Sequence, residues 1–188
     1  MAQKTLNNIG LNMKSLIETN IAVLMQIKQL VLLCDEPAYN TVIPQTQSSI
    51  GKHIRHILDH FRAVKFGQNK FEIDYNHRER GSAEETQSNA AIDQVDILIH
   101  WLRNHPLDNA PIQVVSEIKL DSLCSHRFSS NIEREFLYLI NHSIHHLAYA
   151  VLLGKIQSLD VPHNIGIAPC TASYERQSKE LINEQISA

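Results

Sequence analysis

Apolar residues recur at intervals of three and four positions in four stretches of this chain, a spacing that predicts amphipathic α-helices. The first stretch shows the pattern at Leu16, Ile17, Ile21, Leu24, Ile27 and Val31. The four predicted helices cover about residues 12–34, 49–66, 89–105 and 130–153. A loop and a polar tail follow from residue 154, where Tyr174 to Ile186 favour a short last helix. The pattern therefore predicts an all-α protein that folds as one domain over residues 1–188.

The spacing changes between Pro111 and Phe128, in the interval between the third and fourth predicted helices. Apolar residues there fall at Ile112, Val114, Val115, Ile118, Leu120 and Leu123. This arrangement favours either two short strands that turn near Asp121 and Ser122 or an irregular excursion. We therefore allow for a short β segment between the third and fourth helices.

Serine residues stand just before three of the predicted helices, where a side-chain oxygen can accept a backbone N–H. The predicted N-caps are Ser48 or Ser49 for the second helix, Ser88 for the third and Ser129 or Ser130 for the fourth. Glu133 follows Ser130 at the spacing of a capping box. Pro106 is expected to close the third helix, because a proline cannot continue it.

The fourth predicted helix separates its apolar residues from its histidines. Its apolar side carries Phe136, Ile140, Ile144, Leu147 and Val151. At about 100° per residue, the opposite side carries Glu135, Tyr138, His142, His146 and Tyr149, with His145 at the margin. His142 and His146 point the same way, which suits two imidazoles that share one metal ion. A lone histidine is usually a hydrogen-bonded core residue, but three within five residues favour a metal site.

The second predicted helix has the same division. Its apolar side carries Ile50, Ile54, Leu58 and Phe61, and its other side carries His53, His56 and His60. Two helices of this kind can pack as neighbours in a bundle and bring three or more imidazoles together. The spacing alone does not decide which of the three histidines would join the pair on the fourth helix.

Other charged and polar groups are expected at the surface. His77, His100 and His105 lie outside the two histidine stripes. The charged run that contains His77 is predicted to be a solvated loop. Alternatively, Arg78 or Arg80 within that run holds an anionic group of a substrate, for which a guanidinium is well shaped.

Composition and charge narrow the classes of function. The chain has 188 residues, 43% hydrophobic and 20% charged, which is typical of a globular domain with its own core. A net charge of −3 gives no basic surface for nucleic acid, and no run of Lys and Arg indicates a membrane patch. The apolar run from Ile21 to Met25 is too short for a signal core or a membrane span. We therefore expect neither nucleic acid nor membrane as a partner.

The cysteines give no sign of a covalent framework. Cys34, Cys124 and Cys170 are odd in number, far apart and without a Cys-x-x-Cys pair. They support neither a set of disulfides nor a cysteine zinc site. We expect them to be reduced, in a cytoplasmic protein.

The histidine segments and their surroundings resemble a known family. The relevant residues are Ser49-Ile-Gly-x-x-x-x-His56, Asp59, Arg134-Glu135 and His142-x-x-His145-His146. In this order and with this long interval, they resemble the DinB/YfiT-like metalloenzyme superfamily. The loop Asn164-Ile-Gly-Ile-Ala-Pro169 is similar to the tail of one uncharacterised subgroup. The resemblance covers most of the chain.

The resemblance implies a four-helix bundle and a ligand set. By motif, the metal ligands would be His56, His142 and His146. Three neutral imidazoles leave a divalent ion at least one open position, as in catalytic sites, and zinc or nickel suits such ligands. Because the family often pairs subunits and the helices have two distinct faces, a homodimer is expected.

Three further residues are candidates for roles beside the metal. Asp59 can accept the N–H of an imidazole and fix its tautomer, or it is an exposed helix carboxylate. Glu135 and Tyr138 lie on the ligand stripe as proton-transfer groups, unless they only pack there. These three residues are the catalytic candidates from the sequence.

The resemblance leaves the reaction open, since the family includes thiol transferases, a maleylpyruvate isomerase and many proteins without a known substrate. Our first hypothesis is a metal-dependent enzyme, either an S-transferase that joins a low-molecular-weight thiol to a small electrophile or a hydrolase. The alternative is a non-catalytic metal-binding protein of a stress response, because no substrate-binding motif is visible. A pocket above the imidazoles favours the enzyme, and a closed site favours the alternative.

Overall fold

The structure is a computed structural model that describes residues 2–77, 79–105 and 108–186. Helices form most of this part of the chain, in agreement with the prediction of a mainly α protein. They are α1 (Ala2–Leu32), α2 (Glu36–Asn40), α3 (Ile50–Gly67), α4 (Ala83–Thr86), α5 (Ser88–Asn104), α6 (Ile132–Ile156) and α7 (Pro169–Ile186). A 3₁₀ turn follows α3 at Gln68–Lys70. The strands are β1 (Glu72–Asp74), β2 (Pro111–Glu117) and β3 (Ser125–Asn131).

The helices α1, α3, α5 and α6 correspond to the four predicted bundle helices and enclose a shared core. α1 packs against α5 and α6, and α3 packs against the same two helices. The buried residues include the predicted apolar positions Leu24, Ile27, Ile54, Leu58, Phe136 and Ile140. Burial of one such side chain contributes about 1.5–3 kcal/mol relative to exposure. This energy determines which face of each helix turns inward.

Two helices begin earlier than predicted. α1 starts at Ala2 instead of near residue 12. The first turns of α1 contain Asn7, Asn8, Gly10 and Asn12, residues of low helix propensity, which favoured a later start. α7 starts at Pro169 instead of Tyr174. A proline suits the first position of a helix, because the N–H it lacks would have no partner within the helix.

The N-cap of α3 was predicted correctly, and the other two caps were not. The hydroxyl of Ser49 accepts the N–H of Lys52 at 3.3 Å. At α5, Gln87 is the N-cap, and Ser88 is the first helical residue, whose hydroxyl donates to Glu36. The carboxylate of Glu36 on α2 therefore binds the hydroxyl that was expected to cap α5. Pro106, the predicted end of this helix, lies outside the described residues.

At α6, the cap is Asn131, which accepts the N–H of Arg134 at 2.9 Å. The predicted capping box of Ser130 and Glu133 is therefore wrong. Ser130 still belongs to strand β3, and its hydroxyl donates to Glu135 instead. The strand runs directly into the helix, and no loop residues separate them.

The β segment consists of the two short strands that the alternating pattern favoured, with one more strand beside them. β2 and β3 pair antiparallel, with Val114 opposite Phe128. β1 pairs parallel to β2 and was not predicted, because three residues are too few to show alternation. The sheet order is β1-β2-β3. Ile112 and Val114 of β2 are buried.

Among the described helices, α6 alone is long and apolar enough to cross a membrane by length and composition. Half of its most apolar segment is buried inside the protein. Helices in the core of a protein have the same apolar composition, and α6 packs against both α1 and α3.

Candidate metal centre

The histidine faces of α3 and α6 meet where these two helices pack against each other. The apolar ridges of both helices occupy the core, so the opposite ridges are left to face each other at one side of the contact. The sequence prediction of a shared histidine cluster is reproduced in this arrangement. The rings that come within contact distance are those of His53, His56, His60, His142 and His146.

Three of these histidines bring one ring nitrogen each close together. Nε2 of His142 lies 3.0 Å from Nε2 of His56. One ring nitrogen each of His56, His60 and His142 lies within 4.8 Å of the others. Distances of this size are compatible with three imidazoles around one ion, because each zinc–nitrogen bond is about 2.0–2.1 Å long. The group can therefore hold a metal ion.

The orientation of His60 is fixed by the backbone of its own helix. Nδ1 of His60 lies 2.9 Å from the carbonyl oxygen of His56. A carbonyl oxygen only accepts hydrogen bonds, so Nδ1 carries the proton in this contact. In the neutral ring, the lone pair is then on Nε2, which is the arrangement that metal-binding histidines adopt through their outer hydrogen bonds. His60 is only 4% exposed.

His146 lies at the edge of this group and contacts a different partner. Its ring centroid is 4.3 Å from that of His56 and 4.6 Å from that of His142. Its Nδ1 lies 3.0 Å from Nδ1 of His53. Burial, with His142 adding to it, lowers the pKa of His146 to about 3. The ring is therefore neutral near pH 7, as a metal ligand must be.

The pKa of His53 is also lowered, first by burial and then by His145. The ring of His53 stacks on Tyr149, with 5.4 Å between centroids. His145 is exposed at the margin of the stripe, as the helical projection placed it. These contacts extend the cluster toward the surface. They lie on the side where α6 continues from His142 to Tyr149.

Two tyrosines close the opposite side of the cluster. The ring of Tyr138 stacks on His142 at 5.2 Å, and the ring of Tyr75 stacks on His60 at the same distance. Tyr138 was a sequence candidate, and its place on the ligand stripe matches the helical projection. Tyr75 was missed because it lies in the charged run that was read as a solvated loop. Burial, with Glu135 adding to it, raises the pKa of Tyr75 well above its ordinary value.

Glu135, another candidate, is completely buried next to these tyrosines. The hydroxyl of Tyr75 donates to Glu135 Oε2 at 2.7 Å. The hydroxyl of Ser130 and the guanidinium of Arg134 donate to Oε1, the latter at 2.8 Å. Buried carboxylates need such donors to offset the loss of water. Tyr75 therefore connects Glu135 to the imidazoles, since its hydroxyl donates to Glu135 and its ring stacks on His60.

Asp59 is buried and lies between two arginines of its own helix. Its Oδ2 pairs with Arg55, and its Oδ1 lies 2.7 Å from Nη2 of Arg62. Arg62 also pairs with Glu84 of α4 at 2.6 Å. The alternative of an exposed carboxylate is therefore wrong, since Asp59 is buried and two arginines hold its oxygens. The same two arginines tie α3 to α4, through Arg55 with Glu85 and Arg62 with Glu84.

A cleft of about 360 Å³ opens between the sheet and the start of α6. Tyr75 and Tyr138 form its wall toward the imidazoles, and Glu135 lies in it as well. Val114, Phe128 and Arg134 contribute to the remaining walls. Volumes of this size accommodate a small ligand. The cleft therefore ends one aromatic ring away from His60 and His142.

The remaining sequence candidates lie apart from the cluster. His77, His100 and His105 are exposed, as predicted. Arg80 is also exposed, and Arg78 lies outside the described residues. The cation at the cleft is Arg134, which the sequence motif contained but to which we had assigned no role.

Comparisons of this chain with protein-family models, with curated proteins and with solved structures found no match.

Proposed function

We propose that this chain is a metal-dependent enzyme of the DinB/YfiT-like type, in which histidines of α3 and α6 bind one divalent ion inside a four-helix bundle. The observation that carries the proposal is the convergence of ring nitrogens from His56, His60 and His142 within 4.8 Å. The packing of α1, α3, α5 and α6 and the order of the histidine motifs support the family assignment. A cytoplasmic location fits the three unpaired cysteines.

The ligand set contains His56 and His142, whose Nε2 atoms lie 3.0 Å apart. We propose His60 as the third ligand, because its hydrogen bond to the backbone directs Nε2 into the group. The family motif instead selects His146. The two possibilities differ in one side chain and can be separated by mutation.

Zinc and nickel are the proposed metals, since both accept neutral imidazole ligands. When bound, a divalent ion with an open position would lower the pKa of a coordinated water or thiol and so provide a nucleophile near neutral pH. The residues of the chain supply the surroundings. Tyr138 and Tyr75 cover one side of the imidazoles and exclude water there. Tyr75 holds its proton at the hydroxyl that donates to Glu135.

The proposed reaction is transfer of a low-molecular-weight thiol to a small electrophile, with hydrolysis of a small substrate as the second candidate. The cleft beside Tyr75 and Tyr138 supports an enzyme, because a closed structural metal site would not need a cavity. A non-catalytic metal-binding role is the outcome if no turnover is found.

Metal analysis of purified variants tests the ligands. We expect one equivalent of zinc or nickel in the wild type and its loss in His56→Ala and His142→Ala. His77→Ala is the matched control, because His77 is exposed and away from the cluster. Loss of metal in His60→Ala with retention in His146→Ala supports His60 as third ligand, and the reverse result supports His146. Retention in both His56→Ala and His142→Ala would refute the site.

Turnover separates the candidate reactions. The metal-loaded protein is assayed with a panel of low-molecular-weight thiols and an aryl halide, and separately with an activated ester. Conjugation that stops on chelation supports the transferase, and metal-dependent ester cleavage without conjugation supports the hydrolase. Metal binding with neither reaction supports the non-catalytic alternative.

A further inference from the structure

The cleft between the sheet and α6 presents a single accessible charge, although two ionic groups line it. Glu135 is completely buried, and its two oxygens accept Tyr75, Ser130 and Arg134. The side chain of Arg134 is 59% exposed. A ligand that enters the cleft therefore meets the guanidinium and not the carboxylate.

Arg134 is held in a defined orientation. Its guanidinium lies over the ring of Tyr138, with 5.3 Å from Cζ to the ring centroid. Its Nη1 donates to Glu135 at 2.8 Å. A guanidinium has five N–H donors in a plane and matches a carboxylate with two parallel hydrogen bonds. A group fixed on two sides loses little further freedom when it binds a third partner.

The rest of the cleft is suited to an apolar body of modest size. Val114 and the ring of Phe128 form walls on β2 and β3, where these two residues are paired across the strands. Ser116, Ser129 and Ser130 add polar groups to the lining, and the hydroxyl of Ser130 is engaged with Glu135. A volume of about 360 Å³ is at the small end of the range for ligand pockets.

We propose that this cleft binds a small organic carboxylate, with its anionic group on Arg134 and its apolar body between the sheet and Tyr138. The inference rests on the proposed function in one respect: the carboxylate is a substrate of the metal centre if that function holds. The binding itself depends only on the cleft.

The test uses benzoate as the probe and benzamide as its neutral counterpart of the same shape. Binding to the purified full-length protein is measured by calorimetry, and metal content is measured on the same sample. We expect benzoate to bind at least tenfold more tightly than benzamide. We also expect Arg134→Gln to weaken benzoate binding at least tenfold and to leave benzamide binding unchanged.

Arg127→Gln is the matched control, because Arg127 is an exposed arginine on β3 that pairs with Glu72 outside the cleft. It should leave benzoate binding at the wild-type level. Equal binding of benzoate and benzamide by the wild type would overturn the proposal even if Arg134→Gln failed to fold. Equal effects of the two arginine substitutions would overturn it as well.

The result for the metal is separate from the result for the cleft. Arg134-dependent benzoate binding by protein that contains no zinc or nickel would support the subsite and refute the proposed metal function. Metal-containing protein that does not distinguish benzoate from benzamide would refute the subsite alone. Benzoate binding that is lost on chelation but unaffected by Arg134→Gln indicates binding at the metal and also refutes the subsite.

Discussion

The side chain of His60 shows how one hydrogen bond to the backbone determines which nitrogen of an imidazole carries the proton. Its Nδ1 donates to the carbonyl of His56, which lies one helical turn earlier. The helical projection identified His53, His56 and His60 as one stripe but contained no information about tautomers. Periodicity predicts the face on which a residue lies, whereas the hydrogen bond that orients the ring depends on rotamers, which the sequence pattern does not contain.

For Asp59 the sequence suggested an imidazole partner or an exposed carboxylate, and the structure shows a buried carboxylate paired with two arginines. An imidazole partner and an exposed carboxylate are both ordinary expectations for a helix carboxylate near histidines. Each expectation is based on spacing alone. The arginines that bind it lie three residues after it and four before it, Arg62 and Arg55. This i,i+3 and i,i+4 pairing is visible in the sequence in retrospect.

We predict that Asp59→Ala lowers the free energy of unfolding by about 1.5–3 kcal/mol, because Arg55 and Arg62 each lose a charged hydrogen-bond partner. Both arginines keep a second carboxylate, Glu85 and Glu84, which limits the loss. Urea denaturation measures the change. Asp93→Ala, at an exposed position on α5, is the control and should change stability by less than about 0.5 kcal/mol. A change in metal affinity of about 10-fold or more in Asp59→Ala, without loss of stability, would instead favour the imidazole-partner hypothesis.

At the scale of secondary-structure elements, the long helices were predictable and their connections were not. α3 and α6 each bury a continuous ridge, so apolar spacing alone locates them. The three-residue strand β1 pairs with β2, which lies about 40 residues later in the chain, and no local pattern reports such a pairing. The cap of α5 failed for the same reason, since Ser88 donates to Glu36 on α2. The cap of α6 failed because Ser130 still belongs to β3.

The start of α3 packs closely against the end of α4. A Cβ atom at Gly51 would overlap the carbonyl oxygen of Glu85 and would lie 2.8 Å from Cε1 of Tyr39. Tyr39 in turn donates its hydroxyl to the carbonyl of Glu84. The glycine therefore permits contact between two backbones at this point.

We predict that Gly51→Ala destabilises the protein by about 1–3 kcal/mol, the range for overpacking a well-filled site. Thermal or urea unfolding measures the loss. Gly154→Ala is the matched control, because it is also a helical glycine and its added Cβ would lie 3.4 Å from the nearest side-chain atoms. If both substitutions had the same small effect, the close contact between α3 and α4 would be disproved.

At the scale of the whole molecule, metal binding and folding stability are expected to depend on pH together. The pKa of His146 is lowered from its ordinary value of 6.5 to about 3 in the folded protein. The unfolded chain therefore binds more protons between these values. Stability that depends on the neutral ring is complete above pH 6.5 and is lost as the pH falls toward about 3.

We predict that chelation lowers the melting temperature strongly at neutral pH and progressively less on acidification, because protons compete with the metal for the same nitrogens. The measurement is a series of melting curves with metal and with chelator from pH 7.5 down to about pH 5, the region where histidine titrates. Protein shown to contain metal, but with a melting temperature that chelation leaves unchanged at every pH, would contradict the prediction.

The prediction of a homodimer also belongs to the whole molecule. Large apolar residues remain exposed on the outer sides of the long helices, among them Leu32, Leu137, Leu152 and Ile156. Surfaces of this kind are often covered by a second subunit. Light scattering should give twice the chain mass of 21.4 kDa at micromolar concentration. A mass equal to that of one chain over the whole concentration range would rule out the dimer.

The contact between His56 and His142 joins residues that are 86 positions apart in the chain. During synthesis, α3 leaves the ribosome well before α6 does. At about 5–20 residues per second, the interval is roughly 4–17 s. For that time, His56 and His60 of α3 are without His142, the residue of α6 that both rings contact in the folded protein. The part of the proposed metal site that lies on α3 is therefore exposed to surrounding ions before the residues of α6 are made.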